Sequence, residues 1–476
     1  MSLINRDMVT LDDFSNAEIE ELFSLANIMN ESIETQSSLC KGKIMASLFF
    51  EPSTRTRLSF ETAMHRLGGH VISAVDIGST SLAKGESIAD MARVLGSYAD
   101  IIVIRHPWEG AAKVVANYAD VPVINAGDGG HEHPTQTLCD LYTIKSERKS
   151  IEGLRIALCG DLKYGRTIHS LAYALARFGA NILFQSYPGL EVPEHVLRKL
   201  VTNYNGTLKR SEDLKQETQK GVFPLNSIYI TPGSPHQLAM MPDVNIQIET
   251  EANVDALYIT RLQKERYSVS LEDERAGNNY PVVDRKLLKG KRFKQTLVLH
   301  PLPRVDELAY EVDADPRSMY FKQAAFGVPV RMALISLLLG CNKTTTTEDI
   351  STLTRQQYTV YKKDSGLKCP NPSCVSNQDT ETKYIKPEFN IISLNPLRLC
   401  CIYCEHENCP PYIASSQWHE GGAKYKKYHS ANSHWINKIK AENLILFDSA
   451  DSAEAQGFGP SNYAGSSLTN REDNEI

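Results

Sequence analysis

The chain has 476 residues, 42% of them hydrophobic, and a formal net charge of -6 at pH 7. That length predicts about three domains, with enough apolar content for packed cores. The acidic balance excludes a general binder of nucleic acid or of membrane surfaces, so any basic chemistry has to be local.

Residues 1–7 hold no apolar signal core. No apolar run approaches the ~20 residues that span a bilayer. The expected location is cytoplasmic. The first strong element is the apolar run 46–50, read as a buried strand. Behind it, Ser53-Thr54-Arg55-Thr56-Arg57 packs three hydroxyls and two guanidiniums into five residues. Leu58, Ala63, Met64 and Leu67 then recur at helical spacing and stop at Gly68-Gly69. The polar cluster therefore sits where a strand hands over to a helix. Unpaired backbone N–H groups and the positive end of the helix dipole favour an anion there. The guanidiniums add donors that match a phosphate. An ordinary N-cap uses one hydroxyl, not three beside two arginines.

Ser79-Thr80-Ser81-Leu82-Ala83-Lys84-Gly85-Glu86 precedes a helical pattern at Ile88, Met91, Ala92 and Leu95. By itself it is a capped loop with a solvated lysine. Apolar runs at 100–104, 121–124, 154–159, 256–260 and 297–300 alternate with helical patterns, which signals parallel α/β sheets. Each is followed closely by polar residues. Arg105-His106 follows the first, and Asn125 to Gly130 with His131-Glu132-His133-Pro134-Thr135-Gln136 the second. Gly160-Asp161-Leu162-Lys163-Tyr164-Gly165-Arg166 follows the third, Arg261-Leu262-Gln263 the fourth, and Pro301-Leu302-Pro303-Arg304 the fifth. A polar break at 146–150 separates two α/β domains, 1–145 and 146–341. The stretch 214–250, with Pro224, Pro232, Gly233, Pro235 and Pro242, reads as a loop-rich insertion. In open α/β sheets the ligand crevice lies beyond the carboxyl ends of the strands, and that rule groups the clusters. Each alone is weak. Together they describe a crevice of Arg, His, Gln and hydroxyls without a serine or cysteine nucleophile.

A polar linker at 342–355 leads to a cysteine cluster at 356–409. Cys369 and Cys374 form C-x4-C, 26 residues intervene, and Cys401 and Cys404 form C-x2-C. Two such knuckles supply four thiolates to tetrahedral zinc. Cys400 is expected to point away and Cys409 to be spare. With no open coordination position, the zinc is expected to be structural, one per chain, and no organic cofactor is expected. Residues 410–476 carry no assigned motif; Trp418 and Trp435 point to a packed or binding segment rather than a pure tail, and disorder is expected from about 449.

Taken together, the motifs 49–57, 133–136, 160–166 and 300–304 closely resemble aspartate carbamoyltransferase, from near the N-terminus to about residue 341. The segment 356–408 is similar to the zinc domain of that enzyme's regulatory chain. The resemblance implies two parallel-sheet α/β domains followed by a small zinc-bound β-rich domain. The first α/β domain would bind carbamoyl phosphate and the second aspartate, with a C-terminal helix packing back on the first. The implied reaction is attack by the amine of L-aspartate on carbamoyl phosphate, the committed step of de novo pyrimidine biosynthesis.

By the same resemblance, Ser53, Thr54, Arg55 and Thr56 hold the phosphate, and Thr56, Arg105 and His133 polarise the carbonyl oxygen. Gln136 takes the carbamoyl NH₂ beside the backbone carbonyls of Pro301 and Leu302. Arg166 and Arg261 take the two aspartate carboxylates, with Gln263 assisting. That fits the physics, because a dicarboxylate suits planar bidentate donors. Ser81 and Lys84 become ligands in a neighbouring subunit's site, which implies a catalytic trimer with shared sites, paired through the zinc domain. His133 is a general-base candidate by residue type, but a carbonyl donor is poorly placed for that task, and the departing phosphate can take the proton. The regulatory chain's nucleotide-binding domain is replaced here by roughly fifteen residues, too few to fold, so regulation by ATP or CTP is expected to be absent. Two other readings stand beside this one: a carbamoyltransferase for another amine, and a non-catalytic assembly protein of the same fold.

Overall fold

This computed structural model describes residues 3–32, 36–186, 190–204, 253–263, 282–342, 358–417 and 426–461, and the backbone alone of Thr207–Arg210 and Ser227–Ile230. The first sheet is parallel, with β1 (Ile44–Phe49), β2 (His70–Ala74), β3 (Ile101–His106) and β4 (Val123–Asp128) in the order β2-β1-β3-β4. Its inner strands β1 and β3 are almost wholly buried, as continuous apolar runs in parallel sheets are. Helices α1 (Asn16–Glu31), α2 (Thr54–Arg66), α3 (Ile88–Gly96), α4 (Ala111–Tyr118) and α5 (Pro134–Arg148) surround it. On α2, Ala63, Met64 and the following Leu67 are buried as the spacing requires, but Leu58 is 47% exposed. It belongs to the outer face of the helix rather than the core stripe.

Helix α5 runs through residue 145, so the change of sheet falls just beyond the boundary read from composition. The second sheet comprises β5 (Arg155–Gly160), β6 (Asn181–Ser186), β7 (Thr207–Arg210), β8 (Ser227–Ile230), β9 (Ala256–Ile259) and β10 (Leu297–Leu299). It is parallel, in the order β10-β9-β5-β6-β8-β7. Helices α6 (Arg166–Arg177), α7 (Glu194–Tyr204) and the short α8 (Arg285–Leu288) accompany it. Of the stretch 214–250, only β8 is among the described residues; the rest, like residues 343–357, which take in nearly all of the 342–355 linker, and Trp418, lies outside them.

Helix α9 (Tyr320–Leu338) returns to pack on α1, α2 and α5. Its length and composition would suffice to cross a membrane, which a search for unbroken apolar runs overlooks, yet it is largely buried inside the protein. It is apolar all round because it is a core helix.

Two small sheets follow. The first is antiparallel, β11 (Thr359–Tyr361), β12 (Phe389–Leu394), β13 (Leu397–Cys401) and β14 (Glu407–Asn408). The second orders β15 (Tyr412–Ser415), β16 (Lys426–Ser430), β17 (Leu444–Phe447) and β18 (Phe458–Pro460) as β17-β15-β16-β18, with helix α10 (Ala450–Ala455) beside it. The expected disorder from 449 is therefore corrected as far as Ser461. Ser449 caps α10, and Ala453 and Phe458 bury themselves with Tyr428 and Phe447. The polar composition conceals this because the few apolar residues find partners only in the folded sheet.

The cysteine-bearing sheet docks on α3 and α4 of the first domain. The Glu109 N–H donates to Ser373 O at 2.9 Å, the Val375 N–H to Glu109 O at 2.9 Å, and Lys113 Nζ to Ile402 O at 2.7 Å. Tyr384 donates to Asp90 Oδ1 at 2.8 Å. Gly110, at φ +86°, lets the backbones close: a Cβ there would lie 2.8 Å from Tyr403 O.

Candidate active site and metal centre

The carboxyl ends of β1, β3, β4, β5, β9 and β10 open on one cleft of about 410 Å³. Its walls include Ser53, Thr54, Arg55, Thr56, Arg105, His133, Gln136, Arg166, Arg261, Gln263, Pro301 and Leu302. Every candidate from the two α/β domains is thus gathered except Ser81 and Lys84. Those two sit on an exposed 3-10 turn (Ser81–Lys84) outside the cleft.

Ser53 is the N-cap of α2, but its side chain makes no capping bond, which leaves its hydroxyl available to a ligand. Arg55 stands on the first turn, its guanidinium held below its ordinary pKa by burial and by nearby Arg261. His133 is the N-cap of α5, with Pro134 at the first helical position. Its Nε2 lies 3.5 Å from Thr56 Oγ1. Burial, then Arg105, Arg166 and Arg331, hold the imidazole well below its ordinary pKa. It is neutral at physiological pH and can donate one N–H without carrying charge.

Gln136 donates its amide to Asp140 Oδ1 at 2.8 Å, leaving its carbonyl oxygen for the cleft. Asp140 also accepts from Gln323 at 2.6 Å and from Tyr258 at 2.8 Å, while burial raises its carboxyl to about 7. Asp161 accepts from the Gln263 N–H at 3.1 Å and the Tyr164 N–H at 2.9 Å, which sets the two acceptor-side loops. His300 Nδ1 accepts from the Leu302 N–H at 2.8 Å, and its Nε2 pairs with Glu307 at 2.8 Å. Leu302 itself sits at φ +53°, uncommon for a non-glycine residue.

Glu51 lies inside the motif 49–57, where nothing in the sequence assigns it a role, and it is central to the cleft. Its carboxylate accepts from Arg166 at 3.0 and 3.2 Å and lies 3.3 Å from Arg105. Arg166 also donates to Gly129 O. Arg166 is thus held by a protein carboxylate rather than standing free for a ligand. Glu51 sets two guanidiniums from different domains against each other. Glu51→Gln is expected to lower the kcat/KM of the reaction in this cleft by about 10- to 100-fold, from losing about 1.5–3 kcal/mol of charged hydrogen bonding. Steady-state kinetics check it, and unchanged kinetics would show that the pair is idle. Asp140, Gln323 and Arg331 were also missed. Gln323 and Arg331 come from α9, and no local signal marks them.

The four cysteines Cys369, Cys374, Cys401 and Cys404 converge, their sulfurs all within 4.8 Å of one another. Cys369 to Cys404 is 3.5 Å and Cys374 to Cys401 is 3.8 Å. Tetrahedral metal–sulfur bonds of ~2.3 Å would place sulfurs about 3.8 Å apart, so the residues fit a tetrathiolate ion. Cys400 turns away towards Glu405 O at 3.3 Å, and Cys409 is exposed.

Comparison with known proteins agrees with this division. Residues 6–146 match the carbamoyl-P binding domain of aspartate/ornithine carbamoyltransferase, and 235–338 match the Asp/Orn binding domain. Residues 363–409 match the metal binding domain of the aspartate carbamoyltransferase regulatory chain. The aspartate carbamoyltransferase catalytic subunits of Thermoplasma acidophilum and Methanopyrus kandleri are each 46% identical over 340 residues, 71% of this chain and 99% of theirs. The catalytic subunit of M. jannaschii aspartate transcarbamoylase superposes with a TM-score of 0.56 at 44% identity, covering 71% of this chain and 99% of its own. The Trypanosoma cruzi aspartate transcarbamoylase gives a TM-score of 0.58 at 37% identity in its complex with carbamoyl phosphate and 0.58 at 36% identity in its complex with carbamoyl phosphate and aspartate. It covers 71% of this chain, and this chain covers 98% of the form with both ligands. A cleft assembled from both α/β domains, in a chain aligned with these catalytic subunits over nearly their full length, places the protein in the aspartate carbamoyltransferase family.

Proposed function

We infer that the chain is an enzyme that transfers the carbamoyl group of carbamoyl phosphate to L-aspartate, giving N-carbamoyl-L-aspartate and phosphate. The observation that carries this is the placement of the α2 hydroxyl–guanidinium cluster opposite Arg261 and Gln263 across one cleft. The helix N-terminus with Ser53, Thr54, Arg55 and Thr56 receives the phosphate. Thr56, Arg105 and neutral His133 stabilise the developing oxyanion on the carbonyl. The Gln136 carbonyl and the Pro301 and Leu302 backbone carbonyls accept from the carbamoyl NH₂. Arg261, Gln263 and Arg166 orient the aspartate, with Glu51 yielding part of its hold on Arg166.

The amine nitrogen forms a bond to the carbonyl carbon, the carbon–oxygen bond to phosphate breaks, and the amine proton leaves with the phosphate. Neutral His133, ringed by guanidiniums, is a poor base, so rate comes from positioning and electrostatics. The test is carbamoyl transfer to aspartate and to ornithine side by side. Product from aspartate alone supports the assignment. Transfer to ornithine would show that Arg261 has been misread, and no transfer to either by folded protein would favour an assembly role.

Three finer readings belong to the same proposal. The tetrathiolate ion is zinc, and the ten cysteines, none in a disulfide, suit the reducing cytoplasm where pyrimidine synthesis would use this product. The oligomer is a trimer with shared sites. Leu58 on α2, Ile72 on the edge strand β2 and Val75 just after it expose apolar surface, and the exposed Ser81–Lys84 turn follows in the chain. A second copy covering that surface would bring Ser81 and Lys84 to its neighbour's cleft. Lys84→Ala and Arg55→Ala chains, each inactive alone, are then expected to recover activity when mixed and reassembled. No recovery would mean that each chain supplies its whole site.

A further inference from the structure

We propose that His131, Glu132 and Glu405 form a second metal site, for a divalent first-row transition ion, at the seam between the β4–α5 loop and the cysteine knuckle. The donor atoms of the three residues lie within 4.8 Å of one another. Ligand bonds of ~2.0–2.2 Å bring such donors to about 3 Å apart, which small side-chain rotations achieve. The His131 Nδ1 faces Asp128 Oδ2 at 3.0 Å. That is the carboxylate–histidine arrangement which fixes a ligand tautomer and turns Nε2 towards a metal. His131 Nε2 and Glu132 Oε2 are both buried and without a hydrogen-bond partner among the described residues. Glu132 as a whole is only 4% exposed. A buried carboxylate oxygen with no donor is costly, and a cation in the cluster would satisfy it.

Glu405 completes the set from another part of the chain. It directly follows the metal-binding Cys404 and sits at φ +57°, a conformation uncommon for a non-glycine residue. That backbone turns its carboxylate across the seam. Its side chain is 35% exposed, which leaves a route from solvent. Lys199 Nζ lies 2.6 Å from Glu405 Oε2 and 3.8 Å from Asp12. It is the rival cation, able to hold one carboxylate oxygen while the other turns to an ion. One imidazole with two carboxylates suits Zn²⁺, Mn²⁺ or Fe²⁺ better than a soft monovalent ion. The bound ion would tie the knuckle to the loop that ends, two residues on, at His133.

The plain alternative is a metal-free network of His131, Lys199 and the acids, and metal counting separates the two. The full chain, with the tetrathiolate site first filled by Zn²⁺, is titrated with Mn²⁺ or Co²⁺ and its metal content measured. One further equivalent is expected, and none would overturn the proposal. In Glu132→Gln and His131→Gln chains, the added equivalent is expected to weaken by ~100-fold, at least what a ligand-supporting residue is worth, while the Zn²⁺ remains. An added equivalent unchanged in both variants would place the ion elsewhere and overturn the site. Should a variant fail to fold, spin-echo spectroscopy of Mn²⁺ in the unaltered chain decides: coupling to one imidazole nitrogen supports the site, and its absence overturns it.

Discussion

Arg55→Ala is expected to lower kcat/KM for carbamoyl transfer by about 10³-fold, with fold and assembly intact. Arg55 is exposed on the first turn of α2, and no ion pair fixes it among the described residues. Partial burial of its guanidinium and the neighbouring Arg261 both disfavour its charge, so the native chain loses little when it goes. The phosphate loses a planar donor pair at a helix N-terminus, where charge-assisted hydrogen bonds are each worth about 1.5–3 kcal/mol. One displaced transition-state donor typically costs 10²–10³ in rate, and Arg55 supplies more than one N–H. Arg55→Lys keeps the charge without the fork, so activity between the two is expected. Steady-state kinetics with size-exclusion chromatography make the check. Near-normal kinetics in Arg55→Ala would remove the phosphate from α2.

The second large effect is on stability. Cys401→Ser, or removal of the metal by a chelator, is expected to unfold the region 358–461 while residues 3–342 stay folded. A structural four-cysteine site contributes about 10–16 kcal/mol of apparent binding energy to folding. The small sheet packs Tyr361, Leu367, Val375, Phe389 and Leu399 around the cysteines, so loss of the metal removes the centre of that core. The last sheet leans on it, with the Leu446 N–H donating to Tyr361 Oη at 3.0 Å and Gln456 to Ser365 O at 2.6 Å. Both β-rich sheets should therefore open together. Calorimetry and limited proteolysis read this as loss of one transition and cleavage confined to the C-terminal quarter. Cys400→Ser, whose sulfur faces away, is the control that should change neither. A Cys401→Ser chain that resists protease like its parent would refute the metal site.

Much of the site was legible because its parts are local. The step from strand to helix at 50–57 orients N–H groups, hydroxyls and guanidiniums within a few residues. The same holds for His133 beside Pro134 and for the turn after β10. The cysteine spacing separated Cys401 and Cys404 from Cys400, because successive residues of a strand face opposite sides. The tail was misread for the opposite reason: α10 and β18 are short, and their apolar residues are too few to show a period.

The sequence by itself determined the strands that border the cleft, the helix start at Ser53–Arg57, the polar residues at those strand ends and the four-cysteine cluster. Only the tertiary structure decided which of these face one another. It set Glu51 between Arg105 and Arg166, brought Gln323 and Arg331 from α9 to the cleft, and placed Cys40 3.3 Å from Cys341. It also seated the cysteine knuckle on α3 and α4 and turned Glu405 towards His131 and Glu132. The physical reason is that backbone geometry over a few residues follows from their own torsions and hydrogen bonds. Pairing between distant side chains follows from strand order and helix packing, which no local pattern encodes.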